Sequence, residues 1–442
     1  MESLPPGPPL PRAVQTLLWM FRPTQLLEHC RRKYGDTFTL RLSGFPPAVL
    51  FSNPNEVREI FTGDPEILLG GAGNQNLKPL LGDHSVLLLD GPRHLRQRKL
   101  LLPPFHGERM RSYAGTIRQI TRAAIRRWPF ERAFALHPEM QDIALETILR
   151  TVFGIADADE LGRLGGLLKS VLSIGEHPSL LLLIRADGSV RLRGLQERLG
   201  RLSPWMRFRR RLEEIDALLF AQIEARRRAA GGDDILSLLL GARDEAGAPL
   251  SDRELRDEIM TLLVAGHETT AAALTWTIHD VLANPGVERA LRGRAGADRD
   301  ACLDAIIRET QRLHPVFNVV GRQLAKSMTI GGRSYPAGVV VTPVAWLAQR
   351  DPRWWPDATR FRPERFLDDK PGAHQYFPFG GGSRRCIGMS FALHQMRVVL
   401  DEVLATSSLS LLPGYVGRPV RRGLTFTLPG GLPVVRRQIS DG

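Results

Sequence analysis

Residues Phe379-Gly380-Gly381-Gly382-Ser383-Arg384-Arg385-Cys386-Ile387-Gly388 are the most informative stretch of this 442-residue chain. Its three consecutive glycines permit a tight turn with positive φ angles, which other residues adopt only at a cost. Cys386 comes just before a helical pattern over Met389–Leu404, so we expect it at a helix N-terminus. Unpaired amide groups and the helix dipole stabilise a thiolate there, and the thiolate is the form that binds metal. The stretch therefore predicts a metal-ligating cysteine.

The chain has two other cysteines, Cys30 and Cys302, and three in all are too few and too scattered for a disulfide framework. Sparse cysteine of this kind is typical of a reducing compartment. The proline-rich N-terminus lacks the basic start and apolar core of a secretory signal. No apolar run approaches the roughly 18 residues that a membrane span needs. We expect a cytoplasmic protein without a transmembrane anchor.

The net charge of +13 raises the question of nucleic-acid binding. The basic residues are dispersed, however, apart from small clusters at Arg207–Arg211 and Arg226–Arg228. No zinc-finger spacing or aromatic RNA-binding motif accompanies them, so the elements that read bases are missing. The sequence therefore favours an acidic protein partner over nucleic acid.

The hydrophobic fraction of 43% is normal for a globular chain and excludes wholesale disorder. Alternating Thr, Phe and Leu predict a β-hairpin over 36–51, and amphipathic helical patterns dominate 107–230. Further β signals occur at Met328–Val341 and in a hairpin over Leu424–Gly431. We expect one domain over 1–442, mainly α with small β-sheets (α+β), with a β-rich part at about 30–60 and a helical core at about 90–405.

One long helix is predicted from Ser251-Asp252-Arg253-Glu254, which has the form of a capping box, to Asn284-Pro285, where proline ends it. Its middle holds Ala265-Gly266-His267-Glu268-Thr269-Thr270. Glycine and threonine weaken a helix locally, since threonine can hydrogen-bond back to the preceding turn. By itself this segment indicates either a packing glycine with buried hydroxyls or a functional site.

The glycine-cysteine stretch resembles the haem-binding signature of the cytochrome P-450 superfamily, Phe-x-x-Gly-x-Arg-x-Cys-x-Gly, at every fixed position. Other motifs of that family follow its order along the chain: Ala265–Thr270, then Glu309-x-x-Arg312, then Pro363-Glu364-Arg365-Phe366. The likeness covers essentially the whole chain. It implies a largely helical prism with haem b between the I and L helices and Cys386 as the proximal iron ligand. The cysteinate would favour cleavage of dioxygen, the co-substrate.

The resemblance also assigns the surroundings of the haem. His94 and Arg98, four residues apart on one helix face, and Arg322 and Arg384 are expected at its propionates, for which arginine donors are suited. Phe379, Gly380, Gly388 and Ala265 are expected against the cofactor. Glu268 and Thr269 are the expected proton-delivery pair. His267 is expected to face away and pack.

Glu309, Arg312 and Arg365 resemble the family's buried Glu–Arg–Arg network, a structural element whose members depend on one another. By analogy, the substrate would contact the loop Gly70–Leu88, the helices near Leu167–Arg211 and three later segments. The expected pocket is apolar with few polar groups, which suits a lipophilic ligand such as a fatty acid, terpenoid, steroid or polyketide-like product. Its expected residues are Asn74, Val86, Val264, Ala265, Thr269, Phe317, Val319, Val320, Thr425 and Phe426, with Asn318 as a further polar point.

No second cofactor motif is present, and 56 residues follow Cys386, so electrons are expected from an external ferredoxin or flavodoxin with its reductase. Arg96, Lys99, Arg385 and Arg397 are candidate docking residues for that acidic partner, although a solvated helix face also explains Arg96 and Lys99. We expect a monomer. Two alternatives to a monooxygenase remain: a peroxygenase driven by hydrogen peroxide, in which the acid–threonine pair is usually replaced, and a haem-thiolate sensor without turnover.

Overall fold

The computed structural model describes residues 3–105, 109–155, 157–175, 203–229, 231–368 and 371–438. The helices of this part are α1 Arg12–Phe21, α2 Pro23–Tyr34, α3 Pro54–Thr62, α4 Lys78–Leu81, α5 Gly91–Leu101, α6 Arg109–Arg127, α7 Leu136–Phe153, α8 Ala158–Gly175, α9 Pro204–Arg228, α10 Ile235–Gly241, α11 Asp252–Ala283, α12 Pro285–Arg292, α13 Gly296–Leu313, α14 Ala345–Ala348, α15 Arg365–Asp368 and α16 Met389–Thr406.

The strands are short and form small sheets. They are β1 Thr37–Leu40, β2 Ala48–Phe51, β3 Leu68–Leu69, β4 Ala133–Ala135, β5 Arg322–Leu324, β6 Met328–Ile330, β7 Arg333–Tyr335, β8 Val340–Pro343, β9 Ser408–Leu411, β10 Val420–Arg422, β11 Thr425–Thr427 and β12 Pro433–Arg437. The largest sheet has the order β1-β2-β8-β5-β3, and a second has the order β4-β12-β9. The predicted class, mainly α with small β-sheets, is confirmed.

Helix α11 lies at the centre of the helical core. Ser251 and Glu254 form the predicted capping box, and the helix ends at Ala283, directly before Asn284-Pro285. Its 32 residues correspond to about 48 Å at 1.5 Å per residue. Helix α7 packs along it more extensively than any other pair of elements, and α9, α13 and α16 also contact it. A side chain on α11 is therefore within reach of most of the core.

The first turn of α11 also fixes α5. Glu254 Oε1 accepts a hydrogen bond from Arg96 Nη1 over 2.8 Å and another from Gln97 Nε2 over 2.8 Å. Arg96 Nε additionally donates to Asp244 over 2.6 Å. The same carboxylate thus caps one helix and anchors the helix that carries His94 and Arg98.

The N-terminal hairpin is confirmed, with Thr37 opposite Phe51 and Leu40 opposite Ala48. The C-terminal hairpin was predicted over the wrong residues. Strand β10 pairs with β11 so that Arg422 lies opposite Thr425, which places the turn at Gly423, with φ of 56°. Gly430 and Gly431 also have positive φ, but they form a short 3₁₀ turn before β12.

Predictions for the helices between 107 and 230 are confirmed where the structure describes them, as α6, α7, α8 and α9. Much of the expected substrate segment Leu167–Arg211, namely residues 176–202, lies outside the described residues. In the part of the chain that is described, no helix is both long enough and apolar enough to span a bilayer.

Candidate functional site

The loop before Cys386 is held by α3. The Cys386 amide donates to the Phe379 carbonyl oxygen over 2.9 Å, and α16 begins three residues later. Gly380 and Gly382 have φ of 69° and 65°. A Cβ on Gly382 would lie 2.0 Å from the Phe61 carbonyl oxygen, and one on Gly381 would lie 2.3 Å from the Phe61 ring. Gly381 and Gly382 are therefore required for packing against Phe61, in addition to the turn that the sequence predicted.

The Cys386 thiol faces a space inside the protein. Its side chain is exposed, yet burial by the surrounding atoms raises the pKa of the thiol. The Gly388 amide and the Arg98 guanidinium lower that pKa but only in part. The helix terminus therefore does lower the pKa of the thiol, as expected, but burial raises that pKa by more. A cation at the sulfur would reverse the balance, because thiolates form readily against metal ions.

A second inward-facing surface occurs halfway along α11. Ala265 is exposed although the helix around it is largely buried, and Val264 and Thr269 are half-buried. Gly266 has a different role, since a Cβ there would lie 2.4 Å from Ile148 of α7. Gly266 is therefore a packing glycine, whereas its neighbour Ala265 borders open space.

The four side chains that were expected at the propionates lie near one another. His94 is buried, and burial together with the positive charges of Arg384, Arg98 and Arg322 lowers its pKa to about 3. Burial likewise lowers the pKa of Arg322 to about 10, helped by the charge of Arg384. Like charges in a buried place are unfavourable unless an anion accompanies them.

Arg322 gives the strongest indication of an anionic ligand. It is 8% exposed, its Nη1 donates to the Gly321 carbonyl oxygen over 2.8 Å, and its buried Nη2 has no hydrogen-bond partner. A buried guanidinium nitrogen without an acceptor is costly. Carboxylates such as the propionates of a haem would satisfy it, with Cys386 available for the iron. The residues present therefore fit a haem.

The Arg384 guanidinium, which was expected at a propionate, makes hydrogen bonds within the protein. Its Nη1 donates to the Val86 carbonyl oxygen over 3.1 Å, and its Nη2 contacts the Leu89 carbonyl oxygen and the Asp90 carboxylate. Asp90 also accepts hydrogen bonds from the backbone amides of residues 71 and 72. The guanidinium therefore ties the Cys386 loop to the segment before α5, a contact that no motif indicated.

Glu268 and Thr269 point to different neighbours. The Thr269 hydroxyl donates to the Ala265 carbonyl oxygen over 2.6 Å. Glu268 accepts from Gln141 Nε2 over 2.6 Å and from Thr425 Oγ1 over 3.2 Å, and its Oε1 lies 3.3 Å from His137 Nε2. The carboxylate thus occupies a polar cluster that sequence reasoning missed, because His137 and Gln141 belong to no motif.

The predicted neighbours of Glu309 are in contact with it. Arg312 donates to it twice, Nε to Oε2 over 2.7 Å and Nη2 to Oε1 over 2.9 Å, and Arg365 Nε lies 3.1 Å from Oε1. Both Glu309 and Arg312 are fully buried. Arg312 Nη1 also donates to the carbonyl oxygens of Gln349 and Ala358 over 2.7 and 2.8 Å. The cluster ties α13 to the segment before α15.

The expected pocket residues vary in exposure. Two of the ten are exposed, five are half-buried and three are buried: in that order, Ala265 and Phe317, then Asn74, Val264, Thr269, Val319 and Val320, then Val86, Thr425 and Phe426. Two of the three expected polar points bond to the protein itself: Asn74 donates to the Leu87 carbonyl oxygen over 3.0 Å, and Thr425 bonds to Glu268. Asn318 is 2% exposed, and both its side-chain polar atoms lack partners.

Three of the four candidate docking residues carry acidic partners. Arg96 pairs with Asp244 and Glu254, Lys99 with Glu245 over 2.5 Å, and Arg397 with Asp304 over 3.4 Å. Lys99 does lie on a solvated helix face, at 65% side-chain exposure. Arg385, next to Cys386, is exposed and contacts Met389 Sδ over 3.1 Å. Arg96, Lys99 and Arg397 therefore already pair with carboxylates of this chain, and their docking role stays a prediction.

Comparisons with known proteins agree with this geometry. A family model described as "Cytochrome P450" matches residues 5–430. The chain is 41% identical over 426 residues to "Putative cytochrome P450 135B1" of Mycobacterium tuberculosis, which covers 94% of this chain and 88% of that protein. It is 36% identical to "Putative cytochrome P450 135A1" of the same species, over 97% of this chain and 93% of that one.

Solved structures share the fold. The cyanobacterial CYP120A1 with bound retinoic acid superposes with a TM-score of 0.83 at 24% identity and covers 98% of this chain and 99% of its own. The cytochrome P450DA heme domain gives a TM-score of 0.82 at 24% identity, over 99% of this chain and 98% of its own.

Proposed function

Since the chain belongs to the cytochrome P450 family and is thus a haem-dependent monooxygenase that uses dioxygen, we propose that it hydroxylates or epoxidises a lipophilic small molecule. The haem would be haem b, with Cys386 as its proximal ligand. Electrons would come from a separate protein. The observation that carries the proposal is the arrangement of Arg322, whose buried Nη2 lacks a partner, with the inward-facing Cys386 thiol.

Each residue near the expected cofactor has a distinct part. Cys386 would bind the iron, and Arg322, His94 and Arg98 would hold the propionates by charge-assisted hydrogen bonds. Arg384 would keep the Cys386 loop against residues 86–90, as its contacts there indicate. Haem bound to a thiolate supplies the cleavage of dioxygen.

The reaction also needs protons at a place from which bulk water is excluded. Thr269 has its hydroxyl one turn from Ala265, at the inward-facing part of α11. Glu268, the preceding residue, has a side chain that is 21% exposed and an ionisable group that can carry a proton to that hydroxyl. We therefore assign Thr269 to hold a proton at the reaction site and Glu268 to bring it.

A lipophilic substrate is supported by the residues expected around it. Val264, Val319 and Val320 are half-buried and Phe317 is exposed, whereas Asn74 and Thr425 are occupied by hydrogen bonds within the protein. A pocket with few available polar groups selects by shape and apolar contact. Fatty acids, terpenoids, steroids and polyketide-like products all meet that description.

The redox partner is proposed to be an acidic ferredoxin or flavodoxin that binds near Arg385. This side chain adjoins Cys386 and is exposed, so an acidic protein can approach it closely. A monomeric state and a cytoplasmic location complete the proposal. The cytoplasmic location is supported by the three unpaired cysteines, which suit a reducing compartment.

Two measurements test the function. Reduction of the purified protein under carbon monoxide is expected to give the long-wavelength Soret band of a thiolate-ligated haem, and Cys386→Ala is expected to lose it. A screen of lipophilic compounds for the optical change that follows displacement of iron-bound water would then find ligands for product analysis. The same Soret band in Cys386→Ala, or no dioxygen-dependent product from any tightly bound ligand, would contradict the proposal.

A further inference from the structure

Helix α1 has its apolar side turned outwards. Leu17 is 53% exposed and Phe21 is 68% exposed. Val14 is also exposed and lies on the same face, since residues three and four apart in a helix are neighbours. A surface helix normally buries its apolar face and exposes its polar one. Val14, Leu17 and Phe21, here called the α1 face, therefore need a partner that the chain itself does not supply.

The opposite side of α1 fixes this orientation. Gln15 is 3% exposed, its Nε2 donates to the Leu10 carbonyl oxygen over 2.8 Å, and its Oε1 accepts from the Arg41 amide over 2.9 Å. Thr16 Oγ1 accepts from the Ser43 amide over 2.8 Å. A rotation of α1 that buried the α1 face would break these hydrogen bonds. The outward apolar face is therefore part of the fold.

Two further exposed apolar side chains lie on segments that are tied to α1. Phe45 belongs to the 41–47 loop that α1 holds through these hydrogen bonds. Leu424 lies at the turn of the β10–β11 hairpin, and Arg421 Nη1 of that hairpin donates to the Trp19 carbonyl oxygen over 3.2 Å. Exposed apolar side chains are ordinary when they are scattered singly, whereas a group of them marks an interaction surface.

The charge of this region indicates the kind of partner. The three segments that meet here, residues 3–27, 37–55 and 403–438, contain no aspartate or glutamate. Arg12 and Arg22 are exposed at the two ends of α1, and neither forms an ion pair with any residue that the structure describes. The α1 face thus lies between cations that this chain does not neutralise, which favours an anionic partner.

A groove beside α1 has the same character. It lies between residues 8–10, α1 and α2 and has a volume of about 410 Å³. Leu18 and Leu26 are among its apolar lining residues, Arg22 and Lys33 are among its cationic ones, and none of its lining residues is acidic. Apolar walls beside cations suit an amphiphile with an anionic head and an apolar tail, which is the chemistry of an acidic phospholipid.

We propose that the α1 face, together with Arg12 and Arg22, binds the surface of a bilayer that carries anionic headgroups. Helices that lie in a bilayer surface combine leucine and phenylalanine on one face with arginine beside it, and they bind more tightly as apolar area and opposite charge increase. The attachment is peripheral, because the ten residues of α1 extend about 15 Å, half the thickness of the hydrocarbon core. The inference goes beyond the proposed function, and binding to the bilayer does not depend on the chemistry of the haem.

A second copy of the chain suits this surface less well than a bilayer does. A symmetric dimer places the same surface on both sides of its interface. Contact through the α1 face would bring Arg12 and Arg22 of one subunit to the same arginines of the other, and like charges across an interface oppose association. Anionic headgroups over an apolar interior complement both the charge and the apolar side chains.

The β10–β11 hairpin gives the attachment a use, which rests on the proposed function. Leu424 is exposed at its turn, and the next two residues, Thr425 and Phe426, are buried and expected in the substrate pocket. Thr425 Oγ1 donates to Glu268 Oε1 over 3.2 Å, so the hairpin extends from the surface to the candidate site. A lipophilic substrate dissolved in the bilayer would thus enter the protein beside this hairpin.

The first test measures binding to vesicles and needs no turnover. Haem-loaded protein is sedimented with vesicles of phosphatidylcholine alone or with phosphatidylglycerol added. We expect at least about tenfold tighter partition onto the anionic vesicles, since each arginine near such a surface adds attraction. High salt should remove most of that gain by screening. Equally weak partition onto both kinds of vesicle would overturn the inference.

Matched apolar variants show whether the α1 face is the part that binds. Leu17→Gln combined with Phe21→Gln should lower partition onto anionic vesicles at least about tenfold, because it removes the apolar area that enters the bilayer. Trp354→Gln combined with Leu367→Gln removes two exposed apolar side chains elsewhere and should leave partition unchanged. The melting temperature and the carbon monoxide spectrum check that each variant folds. Equal losses in the two double variants would make the binding unspecific and refute the role of the α1 face.

Matched charge variants test the arginines in the same assay. Arg12→Gln combined with Arg22→Gln should abolish most of the preference for phosphatidylglycerol. Arg126→Gln combined with Arg360→Gln lowers the net charge by the same amount at exposed arginines that form no ion pair within the described ranges, and it should retain the preference. An equal loss of preference in both would show that only the net charge matters and would contradict the proposed site.

Two measurements test other occupants of the α1 face. Analytical ultracentrifugation should show the same monomer for wild type and for Leu17→Gln with Phe21→Gln. A dimer that this double variant dissociates would make the α1 face an interface between copies instead. Tight binding of a surrogate acidic ferredoxin that the same substitutions abolish would assign the face to a protein partner, and either result would overturn the inference.

A haem-binding probe tests uptake from the bilayer. Dodecylimidazole dissolves in vesicles and shifts the Soret band when its nitrogen binds the iron. Its uptake from anionic vesicles should be at least about fivefold slower in Leu17→Gln with Phe21→Gln, because attachment raises the local concentration of the probe. Plain imidazole, taken up from water, should bind wild type and variant equally. Vesicle binding with equal dodecylimidazole rates would overturn the role in uptake, whereas a protein that binds vesicles and probe but oxidises no ligand would contradict the proposed function alone.

Discussion

Arg312 binds Glu309 through two parallel hydrogen bonds, Nε to Oε2 over 2.7 Å and Nη2 to Oε1 over 2.9 Å, in a place that solvent does not reach. Arg312→Ala leaves the carboxylate with Arg365 as its remaining charged partner, and a broken buried pair typically costs about 3–5 kcal/mol. We expect little haem-loaded protein from this variant, measured by the haem-to-protein absorbance ratio and by urea unfolding. Normal haem content in Arg312→Ala would refute the assignment.

A matched control for that change is Arg362→Ala. The Arg362 side chain is 46% exposed and pairs with Asp357 over 2.8 Å at the surface. Its backbone amide also donates to Glu309, but the substitution leaves the amide unchanged. Stability should change by no more than about 0.5 kcal/mol.

Arg322→Gln should have opposite consequences with and without haem. In the haem-free protein the substitution removes a buried cation whose Nη2 has no partner, so the free energy of unfolding should stay the same or rise. In the loaded protein it removes a charge-assisted hydrogen bond worth about 1.5–3 kcal/mol, so haem transfer to an acceptor protein should be at least about tenfold faster. Equal transfer rates for wild type and variant would show that Arg322 holds no propionate.

Gly382→Ala and Gly388→Ala should differ. A Cβ at Gly382 meets the Phe61 carbonyl oxygen at 2.0 Å and the backbone has φ of 65°, so the Cys386 loop must move. We expect loss of the thiolate Soret band and a lower melting temperature without haem. A Cβ at Gly388 meets no atom within 4 Å, so the haem-free protein should melt as wild type does, while haem affinity falls if that side is covered by the cofactor. A wild-type spectrum in Gly382→Ala would contradict the packing argument.

Replacing His267 with leucine should raise stability, more so in acid. Burial lowers the pKa of His267 to about 4, whereas an unfolded histidine has a pKa of about 6.5. As the pH falls from 6.5 towards 4, the unfolded chain gains a proton that the folded chain does not, so the histidine protein loses stability. His267→Leu escapes this loss, and its advantage should be about 2 kcal/mol larger at pH 5 than at pH 7. Urea unfolding at both pH values measures the difference, and a constant advantage would contradict the pKa shift.

Charge reversal at Arg385 should slow electron transfer. Arg385 is exposed beside Cys386, so Arg385→Glu should lower the rate of reduction by a surrogate acidic ferredoxin and weaken its dependence on salt. Arg132→Glu is the matched control. Arg132 directly precedes β4, which shares a sheet with β9, and β9 follows the C-terminal end of α16, whereas Cys386 precedes its N-terminal end. Unchanged kinetics in Arg385→Glu at low ionic strength would exclude this docking site. Reversal at Arg96 is a poorer test, since it also breaks the bonds to Asp244 and Glu254.

Features set by neighbouring residues were predictable from the sequence. The limits of α11 followed from the capping box at Ser251 and from Pro285, and the Cys386 loop followed from its glycines. The position of the turn near the C-terminus was not predictable. Several glycines there permit a turn, and only the pairing of Arg422 with Thr425 selects Gly423. Such a choice depends on cross-strand contacts, which one-dimensional patterns do not contain.

The partners of the predicted site residues were also beyond the sequence. His137 meets Glu268 because α7 packs along α11, and a histidine on a helix carries no sign of which distant carboxylate it will face. The bond between Arg384 and Asp90 is of the same kind. Motifs indicated the residues that we propose to act on a ligand, whereas packing determined which side chains contact those residues.

Glu254 connects the candidate site to the protein surface. It closes the first turn of α11 and also receives Arg96 and Gln97 of α5, the helix that bears His94 and Arg98. A shift of that turn would tilt α5 and so displace the two side chains that we propose as propionate ligands. Evolution or protein engineering can therefore retune the haem environment through the connection at 242–250, with every residue of the pocket left as it is.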